Sequence, residues 1–165
     1  RKELGTLDEA LSAEIADLLT KYDQGKGPAK MRVLKGRKEF AEAYVQVFEE
    51  AKEEILFFGS YDDFLREISP ELGERRIERR VERDIAIRAL ALPSVQAEAL
   101  QKKDIEELRQ IRFMKSSTPF VCSFYLFANK IIFWQPMTPI AVMIEDVYLV
   151  AMWRSMFEML WESNS

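Results

Sequence analysis

The chain has 165 residues, 48% of them hydrophobic and 32% charged, which fits one ordinary hydrophobic core and excludes disordered and fibrous classes. Its net charge of -4 argues against nucleic-acid binding by its own surface, which needs a concentrated positive field. The count of histidines is zero, so imidazole bases, Ser-His-Asp and Cys-His pairs and His zinc ligands are all excluded.

Residues 1–24 read as a helix, because Leu4, Leu7, Leu11, Ile15, Leu18 and Tyr22 recur at steps of three and four and make one apolar stripe. Pairing with a second chain as a coiled coil is the first reading of that stripe, and a helix laid on its own domain is the other. Gly25-Lys26-Gly27-Pro28 breaks the helix, so residues 25–30 are expected to be a linker and 31–165 a separate α/β domain.

Met31–Leu34 then reads as a strand, and an amphipathic helix runs from Gly36 to about Lys52 with Phe40, Ala43, Tyr44, Val47, Phe48 and Ala51 on one side. Glu54–Gly59 is a largely apolar strand, as expected when helices cover both faces of a sheet. Ser60 and Asp63 open a helix in the manner of a capping box, and Ser69-Pro70-Glu71 starts another that runs to about Glu82. Ile85–Leu90 is the third strand, Ser94 caps a helix to about Leu108, and Gln110–Met114 is the fourth strand. Between Ser116 and Ile144 the only charged residue is Lys130, and strands are expected at 120–127, 130–135 and 139–144, the first two joined by a tight turn at Ala128-Asn129. Asp146 begins a closing helix with Val150, Trp153, Phe157, Leu160 and Trp161 inward. The expected fold class is α/β, a mixed β-sheet flanked by helices and preceded by an N-terminal helix.

Chemistry-bearing residues are sparse. Cys122 is alone and lies in an apolar run, so it is expected to be a packed thiol in a reducing, cytoplasmic compartment. The chain shows no leader and no membrane-length apolar run, and its lack of an initiator Met suggests that Arg1 continues from something upstream. Asp62-Asp63 and Glu145-Asp146 follow strands, but capping accounts for Asp62, Asp63 and Asp146 without catalysis. No phosphate-binding glycine loop is present, so no catalytic residue, cofactor or metal ligand is assigned. Arg75, Arg76, Arg79, Arg80 and Arg83 are threaded with Glu71, Glu74, Glu78 and Glu82, which reads first as a solvated face with local ion pairs and second as a source of one arginine for an anionic ligand or a partner chain. Phe124, Tyr125, Phe127, Phe133 and Trp134 read first as core and second as a binding surface for a carbohydrate or other small molecule. Where strand ends meet helix starts, Ser60, Tyr61 and Asp62, with Arg88 and Glu145, are the candidates for a ligand pocket, and Tyr61 is the candidate stacking residue.

The order of Met31–Gly36, Glu50–Ser60, Ile85–Leu90, Arg109–Met114, Asn129–Ile132 and Met156–Glu162 resembles the C-terminal part of TrmB-family transcriptional regulators. The resemblance implies a phospholipase D-like fold, a homodimer held by residues 1–24, effector sensing in the following domain, and DNA binding only by an upstream winged helix absent from this chain. Catalytic phospholipase D members carry an HxK motif followed by Asp. Here Phe127-Ala128-Asn129-Lys130 occupies the corresponding hairpin, and Lys130 is its only trace. A non-enzymatic regulatory domain is therefore expected, with a homodimeric protein-interaction scaffold without a small-molecule ligand as the alternative.

Overall fold

Strands Lys30–Lys35 (β1), Glu54–Gly59 (β2), Ala86–Ala91 (β3), Arg109–Phe113 (β4), Ser123–Phe127 (β5), Lys130–Gln135 (β6) and Ile140–Glu145 (β7) form one sheet in the order β1-β7-β6-β5-β2-β3-β4. This arrangement is that of a computed structural model describing residue 6 and residues 9–16, 30–115 and 118–165. The helices are α1 (residues 9–16), α2 (Gly36–Glu50), α3 (Tyr61–Leu65), α4 (Pro70–Glu82), α5 (Val95–Gln101) and α6 (Val147–Ser163). β2, β3 and β4 run parallel, as helical crossovers require, whereas β5, β6 and β7 form an antiparallel meander and β1 returns to pair antiparallel with β7.

Strand alternation divides the apolar residues between the two faces. Phe57, Ala89, Tyr125, Ile132 and Trp134 join Phe40, Tyr44 and Val47 of α2 and Phe64 of α3 in the larger core. The Phe40 and Phe64 rings lie 4.5 and 5.2 Å from Trp134. On the opposite face Leu56, Leu90, Leu126 and Ile131 meet Val150, Phe157 and Trp161 of α6. The helix starts follow the sequence: Ser60, Ser69, Ser94 and Asp146 accept from the backbone N–H groups of Asp63, Leu72, Ala97 and Leu149, and Pro70 occupies the first turn of α4.

Several expectations need correction. α5 stops at Gln101, not Leu108, because the Asp104 carboxylate accepts from Ile111 N and Arg109 Nε and turns the chain into β4. β5 begins only at Ser123, where pairing with Gly59 starts, so Cys122 lies before the ladder and is exposed, not packed. Leu160 faces outward beside Met159, since Val150, Phe157 and Trp161 already define the inner side of α6. Lys30 belongs to β1, so the linker expected at 25–30 ends earlier, and residues 25–29 lie outside the described residues. The arginine cluster is also not a uniformly solvated face. Arg76 and Arg79 reach across to Glu49 of α2, and Arg80 is 1% exposed and donates to the carbonyls of Ile85, Leu108 and Glu107. Of the N-terminal stripe, Leu11 and Ile15 are 57% and 50% exposed, and Leu4, Leu7, Leu18 and Tyr22 lie outside the described residues.

Candidate functional site

The carboxyl ends of the parallel strands gather Gly59, Ala91 and Phe113 at one edge, with Ser123 beside Gly59. Gly59 has φ +146°, and a Cβ there would stand 2.3 Å from Ser123 Cβ, so β2 and β5 approach each other at a point that only glycine tolerates. The next three residues are consumed by structure. Ser60 Oγ donates to Asp63 Oδ2 at 2.6 Å and accepts from Asp63 N. Tyr61 is buried and stacked on Phe57 at 4.2 Å, so it offers no ring to a ligand. Asp62 accepts from Ser94 Oγ at 2.7 Å, tying the start of α3 to the cap of α5.

Arg88 and Glu145 lie toward the opposite edge. Gly59 and Glu54 stand five residue steps apart along β2, which is about 17 Å at the ordinary rise of ~3.3 Å per residue, so the five candidates do not form one pocket. Arg88 donates to Glu54 at 2.6 and 3.1 Å and to Glu158 of α6 at 2.5 and 2.9 Å. Its guanidinium also sits 5.3 Å from the Trp161 ring, and the hydrogen bonds to Glu158 and then Glu54 raise its pKa further above the ordinary arginine value. Glu145 approaches Lys30 and Lys130 at 3.8 and 3.9 Å, and Lys130 is bound to Glu50. Burial opposes ionisation of Glu50, but hydrogen bonds from Lys130 and Gln46 outweigh it and hold the carboxyl below its usual range. Lys130, expected as the trace of a catalytic motif, is thus a strut between α2 and β7.

Two open grooves adjoin this edge around the Ala128-Asn129 turn. One, of about 480 Å³, is lined by Lys52, Glu53, Glu54 and Arg154, and the other, of about 440 Å³, by Glu49, Glu50, Arg83, Lys130 and Glu145. Both carry charges of either sign, unlike the apolar lining of most metabolite pockets. Inside the larger core a cavity of about 40 Å³ touches Tyr44, Tyr61, Tyr125, Arg80 and Arg109, room for a water or two rather than a metabolite. Burial raises the pKa of all three phenols.

No family model matches the chain, and neither does any curated protein sequence. Solved structures do share its fold. TrmBL2, an archaeal chromatin protein described with a novel mode of DNA binding, superposes with a TM-score of 0.64 at 17% identity, covering 99% of this chain and 66% of its own. NucT from Helicobacter pylori gives 0.60 at 10% identity, covering 82% of this chain and 97% of its own. Nuc from Salmonella typhimurium, a phospholipase D family member, gives 0.60 at 13% identity over 83% and 97%. The mixed sheet flanked by helices is therefore a phospholipase D-like fold, and at these identities the likeness concerns the fold alone. This chain spans 66% of the length of TrmBL2.

Sequence reasoning missed Arg80 and Arg109 as interior residues. Arg80 sits three residues after Ile77, on the inward stripe of α4, and that periodicity was the available signal. For Arg109 the sequence offers none, because its acceptors Asp104, Glu107 and the Leu100 carbonyl meet only in the folded turn.

Proposed function

We propose that this chain is the dimerisation and regulatory part of a TrmB-like transcription regulator, reaching DNA through an upstream domain and performing no catalysis itself. The observation that carries the reading is the extent of the likeness to TrmBL2. It takes in 99% of the chain, whereas the likeness to NucT and to Nuc stops at 82–83%, a difference of about the share of residues that precede β1. A module that extends the fold in this way fits a helix that pairs chains, and Leu11 and Ile15 are exposed to do so. The absence of any histidine supports a role other than phospholipase D chemistry.

Of the two modes of regulation, contact between proteins is better supported than a metabolite effector. The interior cavity of about 40 Å³ falls far below the ~300 Å³ at which ligand pockets begin, and the larger grooves are open and charged. No helix among the described residues is long and apolar enough to cross a membrane. The test joins sedimentation of the chain with a thermal-shift screen against sugars, nucleotides and amino acids. A stable dimer without a shift is expected. A concentration-dependent rise with one metabolite class restores effector sensing, because only a ligand of the folded state raises the melting temperature, and a monomer without a shift overturns both modes.

A further inference from the structure

α6 has one apolar side on the sheet and a second apolar side that no described residue covers. Val150, Phe157 and Trp161 are buried, while Tyr148, Leu149, Met152, Met156, Met159 and Leu160 are 41–85% exposed. At 100° per residue these six fall on one stripe opposite the buried side, with Val147 off it. A contiguous exposed apolar stripe of this length on a protein surface normally marks an interaction site. The charged residues within the span lie off the stripe: Glu158 binds Arg88 of β3, and Arg154 lines the groove beside Glu54.

The stripe is symmetric about position 154. Tyr148 and Leu160, Leu149 and Met159, and Met152 and Met156 stand at equal distances on either side, and Leu149, Met152, Met156 and Met159 follow the three-four-three spacing of a helix-pairing seam. A two-fold axis at that level would set each residue of one half against its counterpart in the other copy, so that this stripe meets itself with apolar against apolar along its whole length. The six side chains offer on the order of 600 Å² per copy, close to the ~800 Å² per partner of a standard interface and at the upper end of what monomers leave open. Arg88, holding Glu158 on the sheet side, fixes the rotation of the helix that presents this stripe.

We propose that α6 pairs antiparallel with α6 of a second copy about a two-fold axis at residue 154, setting Met152 of one chain against Met156 of the other. This contact is separate from pairing through residues 1–24 and does not require it. The decisive experiment co-expresses two chains of different mass in a Cys122→Ser background, one with Met152→Cys and the other with Met156→Cys, followed by mild oxidation. The expected product is the mixed disulfide. Each variant with itself should link at least fivefold less, because the two sulfurs are then offset along the axis by about four residues, ~6 Å at 1.5 Å per residue. Equal self-linking, or no mixed disulfide, overturns the proposal.

Met152→Glu with Met159→Glu, placed at exposed positions that leave the core intact, should halve the mass of a Leu11→Ser/Ile15→Ser chain while its far-UV circular dichroism is unchanged. A Leu11→Ser/Ile15→Ser chain that is still dimeric and is split by the Glu pair removes the N-terminal pairing and keeps α6 pairing. An absent mixed disulfide in a chain that Leu11→Ser/Ile15→Ser makes monomeric does the reverse. If the Glu pair leaves the mass unchanged but exposes residues 1–24 to trypsin, the stripe is covered by the chain's own helix, and the proposal fails.

Discussion

Arg88 of β3 holds Glu158 of α6 through two hydrogen bonds of 2.5 and 2.9 Å, a charged clasp between the sheet and the helix packed on that face. The hydrogen bonds from Arg88 hold the Glu158 carboxyl below its usual value of 4.5. A depressed folded-state pKa contributes stability that is present above the unfolded value and lost as pH falls through the folded one. Glu158→Gln should therefore cost about 1 kcal/mol at pH 7, a modest figure because the carboxylate is partly exposed and screened. Urea titrations of both proteins should begin to converge as pH falls below about 4.5 and meet only below the depressed folded-state value, and a difference that persists unchanged into acid would show that the clasp does not act through this charge.

Arg80 presents a different balance, because it is buried and meets only carbonyl oxygens through its own hydrogen bonds. Arg80→Met strips the donor from three acceptors at ~1–3 kcal/mol for each one left unsatisfied, so a loss of about 3 kcal/mol or more is expected in chemical denaturation. Arg80→Lys should fall between the two, since a point ammonium cannot span acceptors on Ile85, Glu107 and Leu108 at once. A loss below 1 kcal/mol for Arg80→Met would contradict this account.

Gly59→Ala should be more damaging than an ordinary glycine substitution. The new methyl would stand 2.3 Å from Ser123 Cβ and 2.6 Å from Ser123 Cα at a φ of +146°, so β2 and β5 must separate, at a cost of about 2–4 kcal/mol. Adding Ser123→Gly should recover only part of the melting temperature, because the Cα and the Cys122 carbonyl, at 2.9 Å, are still in the way.

The three buried phenols predict a distinct alkaline transition. Burial raises the pKa of Tyr44, Tyr61 and Tyr125 above the ordinary 10, so the folded state keeps protons that the unfolded state releases. Stability is then fully present below pH 10 and declines as pH rises beyond it. Absorbance at 295 nm should show three of the five tyrosines ionising together with the loss of far-UV ellipticity; gradual ionisation in a still-folded chain would refute their enclosure.

Local features were legible in the sequence, and features that depend on strand order were not. Ser60, Ser69, Ser94 and Asp146 announced their helices because a cap is read within four residues. The hairpin followed from the tight turn at Ala128-Asn129, and the division of Phe124 from Tyr125 from period two. The candidate residues divide into two groups because Ser60 to Asp62 and Glu145 look equivalent as strand ends in the sequence, yet the antiparallel run of β7 carries Glu145 to the opposite edge. Likewise Arg88 finds Glu158 across 70 positions, a partnership that no local pattern encodes.

The pairing of β1 with β7 joins Lys30 to Glu145 and leaves β1 with a single neighbour in the sheet. During synthesis, therefore, β1 leaves the ribosome long before the strand that will receive it. The parallel strands β2 to β4 can assemble while β1 waits unpaired, and the sheet closes last at its first-made strand, a late step of long loop closure. Whatever is joined ahead of β1 accordingly acquires its fixed attachment to the sheet only once β7 has been made.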